Sequence, residues 1–356
     1  MKAGWLGVAV ALAACSGGTT PVASVTPSAS PLVSVSQSPV PSATPVTSPT
    51  PSPRPSVNLS CRLPVTWSEF PDGTTQVQKA GFLTFPDNTL RADPSAAANS
   101  QFYDRGFSKW LPVWRQAVSP DGRQYAYTEG DLVHDTAGKV HVVTVSSGAD
   151  RVVYSGKPIM RVVDFAADGI YMTADQYEGY PRGLWVLNPS GGAPRLISST
   201  IIGPVVGNGA AWGIDFNAAD PHPAPGGIEG PKNRVLRYDL KTGAATVVYY
   251  RPGTSLYVMG VNTDGSLFVY VNVAQDHIEM WRVNSTTVAT RLFTGAGLIM
   301  PESLAAFDAH GVWFYGADYR SAGSPGHSLW LYSGGAIRLV TSVPYDPFSI
   351  AGGCIS

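Results

Sequence analysis

Ala117-Val118-Ser119-Pro120-Asp121-Gly122-Arg123-Gln124-Tyr125-Ala126-Tyr127 is the stretch that decides the fold. An apolar segment enters a turn at Asp121-Gly122, and a segment with alternating apolar residues leaves it. Asp-Gly between apolar runs predicts a β-hairpin, because this kind of turn needs positive φ angles that glycine adopts at little cost. The apolar run 140–145, the turn Ser146-Ser147-Gly148 and the run 151–154 then predict a third and a fourth strand.

The same four-strand unit recurs four more times along the chain. In each copy a glycine-containing turn joins two apolar strands. A third strand rich in Leu, Trp and Val follows, and a second turn leads to a fourth strand. Four strands per unit, at a spacing of roughly 40–56 residues, are typical of the blades of a β-propeller. The first turns of these four copies are Asp168-Gly169, Asn208-Gly209, Asp264-Gly265 and His310-Gly311.

Residues 61–112 are less regular and are interpreted as an atypical first blade. They contain an apolar stretch at 81–85, which predicts a strand, and a turn at Pro86-Asp87-Asn88. With the five regular copies they predict an all-β propeller of six four-stranded blades over residues 61–356. Seven blades are possible if residues 61–112 and the C-terminal tail contribute further strands.

The first copy also has a family resemblance. Val118-Ser119-Pro120-Asp121-Gly122, followed by Tyr125-Ala126-Tyr127, resembles the WD40-like repeat of TolB-type propellers. The later copies keep the turn and lose the Ser-Pro pair, so the close match covers one blade. The resemblance implies a propeller fold and no particular function, because one fold serves many activities.

The N-terminus predicts export and a lipid anchor. Lys2 precedes an uncharged run, 3–14, that is too short to span a bilayer and has the proportions of a secretory signal. It ends in Leu12-Ala13-Ala14-Cys15, which resembles the bacterial lipobox and implies cleavage before Cys15 and a diacylglycerol on its thiol. An acylated N-terminus with two or three chains holds a protein at a membrane. The alternative is an ordinary signal peptide, 1–14, that contains a cysteine.

Residues 15–60 are expected to be a disordered tether. After Cys15 the segment consists almost entirely of Ser, Thr, Pro, Val, Ala and Gly, and Arg54 is its only charged residue. With no periodic apolar face it cannot repay the entropy of ordering. An extended, polyproline-like spacer is the expected state, and its composition also permits O-glycosylation.

Charge and cysteine usage restrict the partners and the compartment. The chain has 24 basic and 25 acidic residues and no basic run, which argues against nucleic acid as a partner. Cys61 and Cys354 form an even pair in an exported domain, so they predict a disulfide. Because a propeller is a closed ring whose first and last blades meet, this pair is expected to join the ends of the ring, with Cα atoms within about 7 Å. The domain is expected to be a monomer.

The candidate site lies in the insertions between the second and third strands of each copy. In a propeller these connections gather on one face, around one mouth of the central channel, and function tends to lie on loops that a rigid scaffold presents. The alternative is that surface loops are polar in any case. The candidate residues of this ligand or partner face are His134, Tyr177, Glu178, Tyr180, Arg182, Asp215, Asp220, His222, His277, Asp318, Arg320 and His327.

Specific chemistry is weakly indicated. In Asp220-Pro221-His222-Pro223 the two prolines fix the backbone around a histidine, which would suit a metal-ligand pair or an oriented base. The same residues also suit an ordinary stiff turn. The chain has no H-E-x-x-H, G-x-S-x-G, S-x-x-K, C-x-x-C or Walker A motif. Catalytic residues therefore stay unassigned, and no cofactor is expected.

Three functions remain open at this point. The leading hypothesis is a tethered propeller that binds a partner protein, cell-wall material or a small ligand through this face. The second is an envelope hydrolase or lyase with histidines and acids at the channel mouth. The third is a structural component of an envelope assembly.

Overall fold

The computed structural model describes nine segments of the chain: 58–131, 137–174, 182–216, 232–274, 277–285, 287–295, 303–318, 326–345 and 347–356. The predicted signal peptide and nearly all of the predicted tether lie outside them. Within the described segments the secondary structure is β-strand apart from one short 3-10 helix at Arg115–Ala117. No helix of these segments is long and apolar enough to cross a membrane.

The strands follow the chain in 24 short elements. They are β1 (Arg62–Glu69), β2 (Val77–Thr84), β3 (Thr89–Ala92), β4 (Phe102–Asp104), β5 (Lys109–Leu111), β6 (Gln124–Glu129), β7 (Gly138–Thr144), β8 (Asp150–Gly156), β9 (Met160–Ala166), β10 (Gly169–Ala174), β11 (Arg182–Leu187), β12 (Arg195–Gly207), β13 (Ala210–Ile214), β14 (Arg234–Asp239), β15 (Ala245–Tyr250), β16 (Ser255–Val261), β17 (Leu267–Ala274), β18 (His277–Val283), β19 (Ala289–Gly295), β20 (Ser303–Asp308), β21 (Gly311–Asp318), β22 (Gly326–Ser333), β23 (Ala336–Val343) and β24 (Phe348–Ile350).

Sequential strands pair antiparallel, as in the blades of a propeller. β16 to β19 form one four-stranded sheet, and β20 to β23 form another. β6, β7 and β8 form a three-stranded sheet, which an isolated bridge between Val118 and Tyr125 extends on the β6 side. β9 to β15 form a seven-stranded sheet, in which β12 pairs with β11 through its first half and with β13 through its second half. β12 therefore serves as the last strand of one blade and the first strand of the next.

The two ends of the domain meet in one sheet with the order β24-β1-β2-β3. Thr66 of β1 pairs with Ser349 of β24, and a disulfide joins Cys61 to Cys354 with a Cα–Cα distance of 5.7 Å. The two cysteines thus lie within the predicted distance, and the predicted disulfide between the two ends of the domain is supported. The last strand of the chain thus supplies the first strand of a sheet whose other strands lie at the start of the domain.

β9, β12, β16, β20 and β24 are each the first strand of a four-stranded unit, and we call them the inner strands. They contact one another in order: β9 with β12, β12 with β16, β16 with β20, and β20 with β24. The apolar cores lie between neighbouring sheets. Phe268 of β17 meets Phe314 of β21 edge to face at 5.0 Å. Trp313 of β21 shares a core cluster with Leu63 of β1, in the sheet β24-β1-β2-β3, which we call the closing sheet. Burying one such side chain contributes roughly 1.5–3 kcal/mol, so the blades hold one another in place.

One hairpin was not anticipated. Between β3 and the 3-10 helix, β4 and β5 form a hairpin for which the sequence of residues 61–112 gave no strand prediction. Its Tyr103 and Trp110 rings meet at 5.2 Å, and the Tyr103 amide donates a hydrogen bond to the Ala351 carbonyl at 2.8 Å. The hairpin is held by these contacts with the end of the chain.

Candidate functional site

Seven of the twelve residues predicted for the ligand or partner face lie outside the described residues: His134, Tyr177, Glu178, Tyr180, Asp220, His222 and Arg320. Asp318 is described by its backbone alone, at the end of β21. The side chains of Arg182, Asp215, His277 and His327 are described, and the structure places them in three separate environments rather than in one cluster.

Arg182 begins β11 and Asp215 follows β13, the two strands that pair with β12, and both residues make contacts within the fold. Arg234 donates from two nitrogens to the two carboxylate oxygens of Asp215, each at 2.6 Å. The guanidinium of Arg182 lies 4.7 Å from the centre of the Phe216 ring, and Lys232 Nζ lies 5.3 Å from the same ring. Such cation–π contacts are attractive, and the bidentate pair fixes its geometry. These interactions assign both residues a structural role.

His277 belongs to a buried charge cluster centred on Glu279 of β18. The Glu279 side chain is 4% exposed and accepts hydrogen bonds from Trp281 Nε1 at 2.7 Å, from Arg291 at 3.1 Å, and from Arg251. Burial raises the pKa of Glu279, but the hydrogen bonds from Arg251 and Trp281 outweigh it and hold that pKa at about 2. His277 Nε2 lies 3.6 Å from Glu279 Oε1. Because Arg251 follows β15, the cluster ties two neighbouring blades together.

His327 contacts a tyrosine that lines a cavity. Its Nδ1 donates to the Tyr345 carbonyl at 3.1 Å, and its ring centre lies 6.2 Å from that of Tyr315 and 6.3 Å from that of Phe348. Tyr315 in turn lines the cavity. His327 therefore packs against one residue of the cavity wall.

This cavity is the candidate site in the described part of the chain, and it has a volume of about 560 Å³. Its lining comes from the middle of β16, the start of β20, one tyrosine near the middle of each of β17 and β21, and the segment at the 3-10 helix. We call it the channel-mouth cavity. Its lining residues are Trp114, Gln116, Tyr257, Val258, Met259, Tyr270, Ser303, Leu304 and Tyr315.

The lining combines aromatic rings with neutral polar groups. Trp114, just before the 3-10 helix, is 49% exposed, which is unusual for so large an apolar side chain. None of the described lining residues carries a charge. Within the described segments the side chains of Gln116, Ser303 and Tyr315 have no hydrogen-bond partner. Their donors and acceptors are thus available to a ligand.

The channel continues behind this cavity. A second cavity of about 340 Å³ shares Gln116, Met259 and Leu304 with the first and extends along the inner strands past Val163. Asp164, the neighbour of Val163 on β9, has a raised pKa of about 7, because burial outweighs the attraction of Arg115. A carboxyl group of this kind is able to change its charge near neutral pH.

A second polar cluster, around His141 of β7, was not predicted because His141 lies inside a strand. Both imidazole nitrogens lie 3.0 Å from a carboxylate oxygen, one of Glu129 and one of Asp150. The Tyr127 ring stacks on the imidazole at 4.5 Å, and its hydroxyl donates to Asp150 at 2.7 Å. Burial and this hydrogen bond raise the pKa of Tyr127 to about 12. With both nitrogens engaged, His141 is poorly placed to act as a base.

Metal ligation has no support in the part of the chain that the structure describes. Its residues contain no group of three or more His, Cys, Asp or Glu side chains arranged to hold a metal ion. The carboxylates of Glu129 and Asp150 lie on opposite sides of the His141 ring. The suggested pair Asp220 and His222 lies outside the described residues.

One sequence signal could have revealed the cavity. Tyr270 and Tyr315 follow the glycines of two consecutive first turns, Gly265 and Gly311, at nearly the same distance along the second strand. In an alternating strand a tyrosine at this position is readily interpreted as part of the core. The half-exposed Trp114 has no comparable pattern and needs the structure to place it.

Comparisons with known proteins give little beyond this. No family model matches the chain, and no curated protein matches its sequence. A solved structure described as TolB from Agrobacterium tumefaciens is 11% identical and aligns over 82% of this chain and 91% of its own, with a TM-score of 0.45. A chain of a nidogen/laminin complex is 11% identical over 82% and 97%, with a TM-score of 0.40. An oligogalacturonate lyase in complex with manganese is 15% identical over 81% and 75%, with a TM-score of 0.45. Similarities at this level carry no argument about function, and the fold rests on the strand order of the chain itself.

Proposed function

We propose that this chain is an exported lipoprotein whose domain is a six-bladed β-propeller, and that it binds a ligand in the channel-mouth cavity. Cys15 carries the lipid and holds the protein on the extracytoplasmic face of the bacterial cell envelope. The tether lets the domain reach material beyond the membrane surface. The ligand is a small molecule or a segment of cell-wall material that fits inside the channel mouth.

The strand order supports six blades. The sheets β16–β19 and β20–β23 count as two, the seven-stranded sheet as two more that share β12, and the closing sheet as a fifth. β6 to β8 with the bridged segment at Val118 make the sixth. A ring of this size needs its ends joined, which β24 and the disulfide accomplish.

The observation that carries the binding function is the channel-mouth cavity. Its volume of about 560 Å³ lies within the range of roughly 300–1,000 Å³ found for ligand sites. Its walls are strands of a rigid scaffold, so little entropy is lost on binding. The described polar clusters around Glu279 and His141 are engaged in internal hydrogen bonds, which supports a binding role over a catalytic one.

The binding site is tested by a pair of substitutions of exposed aromatic residues. Trp114→Ala removes the largest ring of the cavity, and Phe107→Ala removes a ring of similar exposure, 43%, at a turn outside the cavity lining. Envelope material separated into protein, saccharide and lipid fractions is titrated against each variant. We expect at least one fraction to bind the unmodified protein and Phe107→Ala alike, and Trp114→Ala at least tenfold more weakly. If every fraction that binds does so equally well to Trp114→Ala, the cavity is not the site.

The anchor is tested separately. Cys15→Ala should move the protein from the membrane fraction to the fraction released from cells, because no thiol remains for the lipid. Ser16→Ala, one residue further on, should leave it in the membrane fraction. Retention of Cys15→Ala in membranes would contradict the lipid anchor without touching the binding site.

A further inference from the structure

The lining of the channel-mouth cavity also points to a class of ligand. Resting on the proposed function, we infer that the cavity binds an uncharged saccharide, with one sugar ring against the indole of Trp114. The sugar hydroxyls form hydrogen bonds with Gln116, Ser303 and Tyr315. Three properties of the lining carry this inference: its charge, its rings and its available polar groups.

The first property is the absence of charge among the described lining residues. A ligand with a carboxylate or phosphate would lose its hydration on binding and would find no opposite charge among these residues. Burying an unpaired charge in this way is costly. Arg115, which borders the adjoining part of the channel, is outside this lining. The chemistry of the site therefore favours a neutral ligand.

The second property is the aromatic wall. The indole of Trp114 is half exposed, and Tyr257, Tyr270 and Tyr315 add three phenol rings to the same cavity. One face of a pyranose ring presents several C–H groups and is apolar enough to pack flat on an aromatic ring. Tyrosine and tryptophan suit this contact because each combines a wide apolar surface with a polar group.

The third property separates a saccharide from a purely apolar ligand. The polar atoms of the Gln116, Ser303 and Tyr315 side chains form no hydrogen bond within the described segments. An apolar ligand would cover these groups and leave them without water, which costs free energy for each group. A sugar hydroxyl both donates and accepts, so it satisfies an amide or another hydroxyl in either sense.

Isothermal titration calorimetry tests the inference with defined probes. The neutral probes are maltose, cellobiose, lactose and N,N′-diacetylchitobiose, and digalacturonate is the acidic probe. We expect at least one neutral disaccharide to bind, and digalacturonate to bind at least tenfold more weakly than it. Trp114→Ala should weaken the binding at least tenfold, Trp114→Phe should restore part of it, and Phe107→Ala should leave it unchanged.

The polar contacts have their own variants. Gln116→Ala and Ser303→Ala should each weaken binding of the same disaccharide severalfold, while thermal unfolding remains that of the unmodified protein. Binding of digalacturonate as tight as that of the neutral probes would overturn the inference. So would the absence of binding by all the neutral probes, or equal binding by Trp114→Ala. If an envelope fraction still binds in a manner that depends on Trp114, the site stands and only the ligand class is wrong.

Discussion

Replacing both Cys61 and Cys354 by serine should destabilise the domain by several kcal/mol without changing its fold. The two cysteines are 293 residues apart, so their bond closes a loop that contains almost the whole domain. The loop-closure relation assigns such a loop an entropy loss in the unfolded chain equivalent to about 5.7 kcal/mol at 25 °C. That value is a ceiling, and measured losses for native disulfides are typically about 2–5 kcal/mol.

The folded ring should persist because it has a second, non-covalent closure. β24 pairs with β1 through Val65 and Ile350, Thr66 and Ser349, and Trp67 and Phe348. Phe348 and Ile350 are both buried, so the strand contributes apolar packing as well as hydrogen bonds. The disulfide acts mainly on the unfolded chain, whereas this strand pairing acts on the folded one.

The assay is urea unfolding, followed by circular dichroism and tryptophan fluorescence. Both proteins carry Cys15→Ser, so that neither lipid nor a third thiol affects the result. The double variant should unfold at lower urea and with a steeper dependence on urea, because an unfolded chain without the cross-link exposes more surface. Each single variant should be at least as unstable as the double one, since it leaves a buried unpaired thiol. A double variant within about 0.5 kcal/mol of the parent would refute the loop-closure reasoning, given its predicted range.

Two further substitutions test the blade contacts and turns. Glu279→Gln should lower the free energy of unfolding by about 3 kcal/mol at pH 7. The pKa of Glu279 is about 2 in the folded protein against an ordinary value of 4.5, and each pKa unit corresponds to about 1.4 kcal/mol. Since the pKa of Glu279 is lowered in the folded state, this stabilisation is complete above pH 4.5 and is lost as the pH falls towards 2. Urea unfolding should therefore show a smaller stability difference between the unmodified protein and Glu279→Gln at pH 3 than at pH 7. A difference independent of pH would exclude the charge as its cause. Gly311→Ala should lower the thermal midpoint more than Gly209→Ala. Both glycines have positive φ, but a Cβ on Gly311 would lie 2.2 Å from the Tyr332 carbonyl oxygen, whereas a Cβ on Gly209 meets nothing within 4 Å. Equal losses would show that φ alone decides the cost.

The elements that could be predicted are those whose signal is local. Asn208-Gly209 is a turn with positive φ at both residues, and the strands on either side of it pair as the alternation of apolar residues indicates. The hairpin of β4 and β5 escaped prediction because its turn, from Arg105 to Ser108, lies between short strands that contain several polar residues. Contacts with Phe82 and Ala351, distant in sequence, stabilise it.

The composition of the closing sheet also could not be predicted from local sequence patterns. Residues 61–112 were interpreted as an irregular blade of their own. The missing strand comes from Phe348–Ile350, at the opposite end of the chain. No local pattern joins these segments, and only the cysteine pair indicated that they meet. The cysteine pair predicted this contact between the two ends of the domain, whereas the apolar periodicity did not. Periodicity indicates where strands lie along the chain but not which strands are neighbours.

The channel-mouth cavity was missed for a related physical reason. Most of its residues belong to strands, where an alternating Tyr270 or Tyr315 is explained equally well by packing between blades. In the structure Tyr257, Tyr270 and Tyr315 are each only partly buried, unlike the fully buried rings between the blades. In repeated blades the predictable alternation thus supplies both the core and the lining of the proposed site, and the alternation alone does not distinguish the tyrosines of one from those of the other. Because strands hold these rings, their spacing is set before a ligand arrives, and this favours recognition of a rigid partner such as a sugar ring.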